Sequence, residues 1–269
     1  MEVEKFFELL TEEIRINTKL QNLYKFASYD ESFLFRKAYY CQRLEYIQKS
    51  VLKKDGIIWD CGCGYGTTGI FLALNGFKVY GTTVEYFFDY IADRLEYWKQ
   101  FGDISRFHVE YKNIFDPPFI KNKYDYIIVQ DVLHHLEPNK DALYILSDSL
   151  KNEGRIIAIE ENGNNLVNNL RLFLKRGNKK IIDIYDEKQK RYIKLGNENI
   201  QSLASWKNRF NEVNMTLDNI RYIRLYPPFF FNKNNYDQLI SKEQDIWKKH
   251  DLIKEFLYFG VNFCAFKNI

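Results

Sequence analysis

The stretch Trp59-Asp60-Cys61-Gly62-Cys63-Gly64-Tyr65-Gly66-Thr67 constrains this chain more than any other. An apolar run of buried-strand type, Gly56-Ile57-Ile58-Trp59-Asp60, leads into it, and residues 67–75 read as a helix that leaves it. Glycine reaches positive φ without strain and lets the backbone approach a ligand with no Cβ in the way. In open α/β sheets ligands sit at the carboxyl ends of the strands, where such a turn lies. A glycine turn alone is a weak signal, because dinucleotide enzymes carry one too. Here the spacing Asp60-x-Gly62-x-Gly64-x-Gly66 departs from Gly-x-Gly-x-x-Gly, and an acid ends the strand immediately before the loop.

The rest of the chain supplies the partners such a strand needs. Apolar strands are expected at 77–81, 106–111, 124–130 and 155–160, with helical segments at 86–101 and around Ala142, Leu143, Ile145 and Leu146. Farther on, a helix at 200–213, a strand at 220–226, a helix at 236–256 and a strand at 258–266 complete the pattern. Right-handed crossovers then give an α/β fold: a doubly wound, mostly parallel seven-stranded sheet with helices on both faces. Residues 1–50 read as an N-terminal helical lid, broken near Ser28 to Ser32, whose Asp30 and Ser32 suit a helix start. Residues 51–269 form the α/β domain, with a partly helical cap inserted after strand five at about 162–195.

Over about residues 56–161 the sequence resembles the class I S-adenosylmethionine-dependent methyltransferases, beginning with Asp60-x-Gly62-x-Gly64-x-Gly66. The resemblance implies that Asp60, Cys61, Gly62, Cys63, Gly64, Gly66 and Thr67 hold the methionine part of S-adenosylmethionine, whose product is S-adenosylhomocysteine. Strand two ends in Gly81-Thr82-Thr83-Val84-Glu85. The family's ribose-binding acid would fall at Thr83, so the ribose contact is left between Thr83 and Glu85. Lys112-Asn113-Ile114-Phe115 resembles the adenine segment, with Asn113 where the family has Asp. An Asn amide still hydrogen-bonds an adenine edge. Asn113, Ile114 and, at the end of strand four, Gln130 are the expected contacts there.

Methyl transfer from a sulfonium mainly needs alignment and a dry pocket, and a hydroxyl acceptor also benefits from a base. Asp131, His134 and His135 follow strand four and are the expected catalytic group, with His135 first by family position. Glu160 and Glu161 end strand five and either shape the acceptor pocket or face solvent. Asp116-Pro117-Pro118-Phe119 has the form of the motif of enzymes that methylate exocyclic amines of bases, but precedes strand four where theirs follows it. It reads instead as a stiff loop. Tyr226-Pro227-Pro228-Phe229-Phe230-Phe231 is either an aromatic wall of the acceptor pocket or core.

A net charge of +3 from 39 basic and 36 acidic residues lacks the concentrated basic footprint that nucleic acid needs. No apolar run approaches the ~18 residues of a membrane span, and the amino terminus lacks signal-peptide character. A cytoplasmic protein with no membrane partner is expected. The four cysteines make neither a disulfide framework nor a zinc site. The histidine pair lacks spaced acidic partners, so no metal is expected. The expected function is S-adenosylmethionine-dependent methylation of a small molecule, at oxygen of a metabolite, sugar or nucleotide-linked intermediate. Transfer to nitrogen or carbon is the alternative, ahead of a nicotinamide-dependent oxidoreductase or a non-catalytic binding protein. Self-association is left open.

Overall fold

The computed structural model of the chain describes residues 1–24 and 32–268. In chain order it holds α1 (Val3–Ile16), α2 (Thr18–Leu23), α3 (Phe33–Ser50), β1 (Ile57–Cys61), α4 (Thr67–Leu74), β2 (Lys78–Thr83), α5 (Ile91–Trp98), β3 (Phe107–Tyr111) and β4 (Tyr124–Gln130). Then come α6 (Asn139–Ser149), β5 (Leu150–Glu161), α7 (Leu166–Arg176), β6 (Ile181–Asp186), β7 (Arg191–Gly196), α8 (Leu203–Asn211), β8 (Met215–Ile223), α9 (Tyr236–Lys249), α10 (Asp251–Leu257) and β9 (Gly260–Lys267). Seven strands form one sheet in the order β3-β2-β1-β4-β5-β9-β8. The pairs among β3, β2, β1, β4 and β5 are parallel, and β9 runs antiparallel between β5 and β8. The winding reverses between β1 and β4, which places a ligand crevice at their carboxyl ends.

Alternation along the strands sorts the apolar residues onto two faces. Ile58, Val79, Ile128, Ile157 and Ile159 pack with α1, α3 and α4 on one side. Trp59, Ile127, Val129, Ile156 and Ala158 pack with α6 and α8 on the other. Because both faces are covered, β4 reads as an unbroken apolar run. Segment 1–50 is built into the first of these cores: Phe6, Phe7, Leu10, Leu44 and Ile47 are buried among residues of the sheet and α4. The expected helix start at Asp30 and the break near Ser28 lie outside the described residues. Ser32, at the N-terminus of α3, makes no side-chain capping bond.

Four boundaries differ from expectation. The cap is a helix, α7, followed by the β6–β7 hairpin. Its exposed polar and apolar residues alternate too irregularly to announce strands. The segment 236–256 breaks at His250, whose backbone is extended. The crossover after β2 begins and ends in 3-10 turns at Tyr86–Tyr90 and Lys99–Phe101. Strand β8 starts at Met215 and carries a register shift between Asp218 and Arg221, with Asn219 at φ 48°, so its apolar period is interrupted. The β3–β4 connection holds no helix among the described residues, and a 260 Å³ cavity lined by Tyr80, His108, Phe119 and Tyr124 opens on that side of the sheet.

A buried ion pair fixes α1 to the glycine turn. Arg94 of α5 donates from Nε and Nη2 to Glu13 Oε1 and Oε2 at 2.8 and 2.7 Å, and the two side chains are 0% and 2% exposed. Its Nη1 donates to Tyr65 O and Thr67 Oγ1 at 2.7 Å each, and Trp98 Nε1 donates to Glu13 Oε2 at 2.8 Å. Four of the five N–H donors of the guanidinium fork are directed at these acceptors in a dry site. Removing one partner strands a buried charge, which typically destabilises by about 3–5 kcal/mol. Arg94→Met is therefore expected to lower unfolding stability by that amount in urea titration. The Glu13→Leu/Arg94→Met double variant should lose clearly less than the sum of the single losses. Additive losses would show that the pair is not coupled.

Candidate active site

The glycine turn is held by the strand next to it. Gly62 and Cys63 donate their N–H groups to Thr82 O at 2.8 and 2.9 Å, and Gly66 donates to Cys63 O at 2.8 Å. Gly62, Gly64 and Gly66 take φ of 74°, 52° and 75°. A Cβ on Gly62 would sit 2.4 Å from Val132 Cγ2, so the loop after β4 closes against bare backbone. Cys61 and Cys63 turn to opposite cores, and burial pushes the Cys61 thiol up to about 12 and Cys63 well above its usual range. Their thiols are inert, and what they present to the crevice is main chain.

Two cavities meet at this turn. One, of 280 Å³, is lined by Cys61, Gly62, Gly64, the run Thr82 to Glu85, Lys112 to Phe115, Gln130 to Val132, and His135. The other, of 260 Å³, lies between the turn and α3, with Arg36, Tyr39, Tyr40, Arg43, Asp60 and Thr68 in its wall. Gly62, Gly64 and Gln130 belong to both. Asp60, Cys61, Gly62, Cys63, Gly64, Thr67, Thr83, Glu85, Asn113, Ile114 and Gln130 thus all border one continuous crevice. Gly66 is instead the residue that starts α4.

Asp60 is the electrostatic centre of the smaller cavity. It is 2% exposed, and its Oδ2 has no hydrogen-bond partner among the described residues. Burial pushes its carboxyl up to about 7, against a backbone hydrogen bond from Gly69 that lowers it. Thr83 Oγ1 accepts from Glu85 N at 3.2 Å, which leaves its hydroxyl proton to donate. Asn113 Oδ1 accepts from Phe115 N at 3.1 Å, turning the other amide atom to remaining partners. Gln130 Oε1 accepts from Thr68 Oγ1 at 3.1 Å, joining the two cavities' walls.

The β6–β7 hairpin roofs the larger cavity with Ile193, Lys194 and Leu195. Leu195 pairs with Leu136, and Gly196 N donates to His135 O at 2.9 Å. Gly196 is required there, since a Cβ would stand 1.9 Å from His134 O. Asp116 anchors the hairpin through an ion pair with Arg191 and a 2.6 Å bond from Gln189 Nε2. That assigns Asp116-Pro117-Pro118-Phe119 a structural task. Neither the hairpin nor the α3 wall announces itself as a site in the sequence, because both reach it only through tertiary contact.

The three expected catalytic residues separate. Asp131 is ion-paired with Arg43. Burial alone would raise its carboxyl, but Arg43, by charge and hydrogen bond, holds it below the usual range, which makes it a poor base. His134 places Nδ1 2.5 Å from Glu160 Oε2 and is 3% exposed. Burial opposes its charge, yet Glu160 wins and lifts it to about 9, so at neutral pH it is already protonated. Asp131 and His134, expected beside His135 as the catalytic group, are thus each held by a partner of opposite charge. His135 lines the larger cavity, and its Nδ1 lies 2.7 Å from Gly196 O, which directs a lone pair to Nε2. Glu160, expected either to shape the acceptor pocket or to face solvent, is buried and accepts from Val132 N and Leu133 N at 3.1 and 2.8 Å. It fixes the loop after β4. Glu161 accepts from Asn168 Nδ2 at 2.6 Å. Phe229 is 76% exposed, and Phe231 packs on Phe35 of α3.

A sheet of this order with an acid-then-glycine turn at its switch point has the arrangement that the sequence resemblance implied. Residues 59–156 match the family model described as a methyltransferase domain. Over that stretch, a little over a third of the chain, it is similar to methyltransferase domains. An uncharacterized protein of Methanocaldococcus jannaschii is 30% identical over 121 residues, 45% of this chain and 48% of its own length. The chain thus spans about half the length of that curated relative. Among solved structures, phosphoethanolamine N-methyltransferase 2 of Haemonchus contortus, in complex with S-adenosyl-L-methionine, superposes with a TM-score of 0.55 at 17% identity, over 85% of this chain and 52% of its own. Geranyl diphosphate C-methyltransferase of Streptomyces coelicolor gives 0.56 at 14% identity, over 83% of this chain and 74% of its own. These likenesses establish the fold.

The residues present fit S-adenosylmethionine: a buried acid with one carboxylate oxygen lacking a partner among the described residues lies at a turn of glycines. Pairing with a ligand ammonium requires Asp60 ionised, whereas in the free protein it titrates near 7. Binding therefore favours the deprotonated form and strengthens as pH rises toward about 7, then levels off. Calorimetry with S-adenosylhomocysteine from pH 5.5 to 8 should show affinity falling by up to about tenfold per unit below that value. Asp60→Asn should bind more weakly at pH 8 and lose the slope. A parent affinity flat across this range would contradict the assignment.

Proposed function

We propose that the protein binds S-adenosylmethionine along the crevice at the carboxyl ends of β1, β2 and β4 and transfers its methyl group to oxygen of a small molecule. The observation that carries this reading is Asp60, buried beside the glycine turn with its Oδ2 lacking a partner among the described residues. S-adenosylmethionine supplies an activated methyl group on a sulfonium centre. Asp60 takes the amino-acid ammonium, and Gly62 and Gly64 let main chain approach it. Glu85, with Thr83 as a donor beside it, holds the ribose hydroxyls. Asn113 and Ile114 receive the adenine.

The acceptor enters on the α3 side, where Arg36, Tyr39, Tyr40 and Arg43 form the wall. Walls from α3 and the hairpin leave room for a small molecule, and the weak net charge of +3 argues against nucleic acid. Alignment and exclusion of water do most of the work for an already activated methyl. His135 Nε2 stands at the cavity wall as the proton acceptor that a hydroxyl needs. Nitrogen and carbon acceptors, the kinds named for the two solved relatives, remain the second reading because they depend less on such a base.

Titration with S-adenosylhomocysteine tests the first half of this reading: the parent should bind and Gly64→Asp should not. A folded parent without binding would remove the reading altogether. With an acceptor found by labelled-methyl screening, His135→Gln should lower kcat by roughly 10²–10⁴-fold while leaving S-adenosylhomocysteine affinity within a few fold. Unchanged turnover at every pH would move the assignment to a nitrogen or carbon acceptor.

A further inference from the structure

His134, His135 and Glu198 come together at the edge of the larger cavity, with one ligand atom of each lying within 4.8 Å of the other two. His134 Nε2 stands 3.7 Å from Glu198 Oε2, and the imidazole centroids are 4.1 Å apart. Both rings are oriented from behind. His134 Nδ1 is held by the buried carboxylate of Glu160 at 2.5 Å, and His135 Nδ1 by the carbonyl of Gly196 at 2.7 Å. An imidazole that gives its Nδ1–H to a carboxylate or carbonyl is oriented to bind a metal through its other nitrogen, directly at His135 and, at His134, with release of the Nε2 proton as the metal binds.

Glu198 is brought to this place by the hairpin. Its φ is 53°, its N–H donates to Gly196 O at 3.0 Å, and its carbonyl accepts from Arg176 Nη2 at 3.1 Å. The sequence gap between His135 and Glu198 hides the set, since the acid arrives only through docking of β7 on Leu136. A tetrahedral ion with bonds of about 2.0–2.1 Å separates its ligand atoms by roughly 3.4 Å. The 3.7 Å edge already meets that, and the Glu198 side chain, 34% exposed, is free to move the remaining distance.

We propose that His134, His135 and Glu198 bind one divalent cation of the zinc class, leaving a coordination position for the acceptor hydroxyl. Two imidazoles and a carboxylate suit borderline ions better than the oxygen-only sets preferred by magnesium or calcium. The use of the ion deepens the oxygen-transfer reading and rests on it, whereas binding of the ion does not. With the cation in place His135 Nε2 would be a ligand instead of the base: the metal would acidify the bound hydroxyl, its proton would leave to solvent water, and the oxygen would take the methyl group as the sulfonium's C–S bond breaks.

Chelator-stripped protein titrated with Zn²⁺ should take up one equivalent and rise in Tm, and Co²⁺ should give a visible ligand-field band. Glu198→Gln and His135→Gln should each weaken Zn²⁺ binding by more than about 100-fold, beyond the roughly 10–100-fold seen for groups one step removed from a metal. Glu198→Gln should still bind S-adenosylhomocysteine. No stoichiometric uptake by a parent that binds S-adenosylhomocysteine would overturn the inference alone, leaving His134 as an imidazolium between Glu160 and Glu198. Uptake unchanged in both variants would also overturn it, by placing the ion elsewhere. Uptake that is lost in the variants, from a parent that binds no S-adenosylhomocysteine, would support the site and sink the methyl-transfer reading.

Discussion

The buried pair between Glu13 and Arg94 is the constraint on which the site depends. It joins the first helix of the chain, the crossover helix after β2, and the carbonyl and hydroxyl of Tyr65 and Thr67 in the glycine turn. Two charges without water are tolerable only when their donors and acceptors are used, and here four of the fork's five donors are spent on Glu13, Tyr65 and Thr67. The turn's position relative to the helices is therefore decided by an all-or-none set of bonds rather than by graded packing.

From that fixed turn the site is completed by elements distant in sequence. The helix α3 contributes Arg43, which neutralises Asp131 at the end of β4 and removes it from base chemistry. The hairpin closes the opposite side, clamped by Asp116 below and by the Leu136–Leu195 pairing above. Glu160 holds the loop between them with two main-chain bonds and the His134 ring. Each of these charges answers another one, and Asp60 is the exception. An uncompensated acid beside bare backbone is costly in a free protein and useful when a cation is to be received.

The histidine pair shows how one dipeptide takes two characters. His134, facing Glu160, is a buried cation, while His135, facing a carbonyl, keeps a lone pair at the cavity wall. Family position put His135 first, but it gave no physical reason for the difference. What separates them is a single choice of partner, carboxylate against carbonyl, set by the direction of each side chain off the loop.

The sequence by itself determined the parallel part of the sheet, its two covered faces and the glycine turn at the crevice. Those features rest on local periodicity and on glycines whose backbone demands no other residue meets, as at Gly62, where a Cβ would strike Val132. Strand β8 was legible only in part, because Asn219 and the bulge beside it break the period of two. The hairpin was not legible, since its strands pair mainly with each other and bury little. Tertiary structure alone decided which acids and histidines are free to act, because charge state depends on partners that approach through space. Arg43 reaches Asp131 and Glu198 reaches His134 across long stretches of chain, and no local pattern records either meeting.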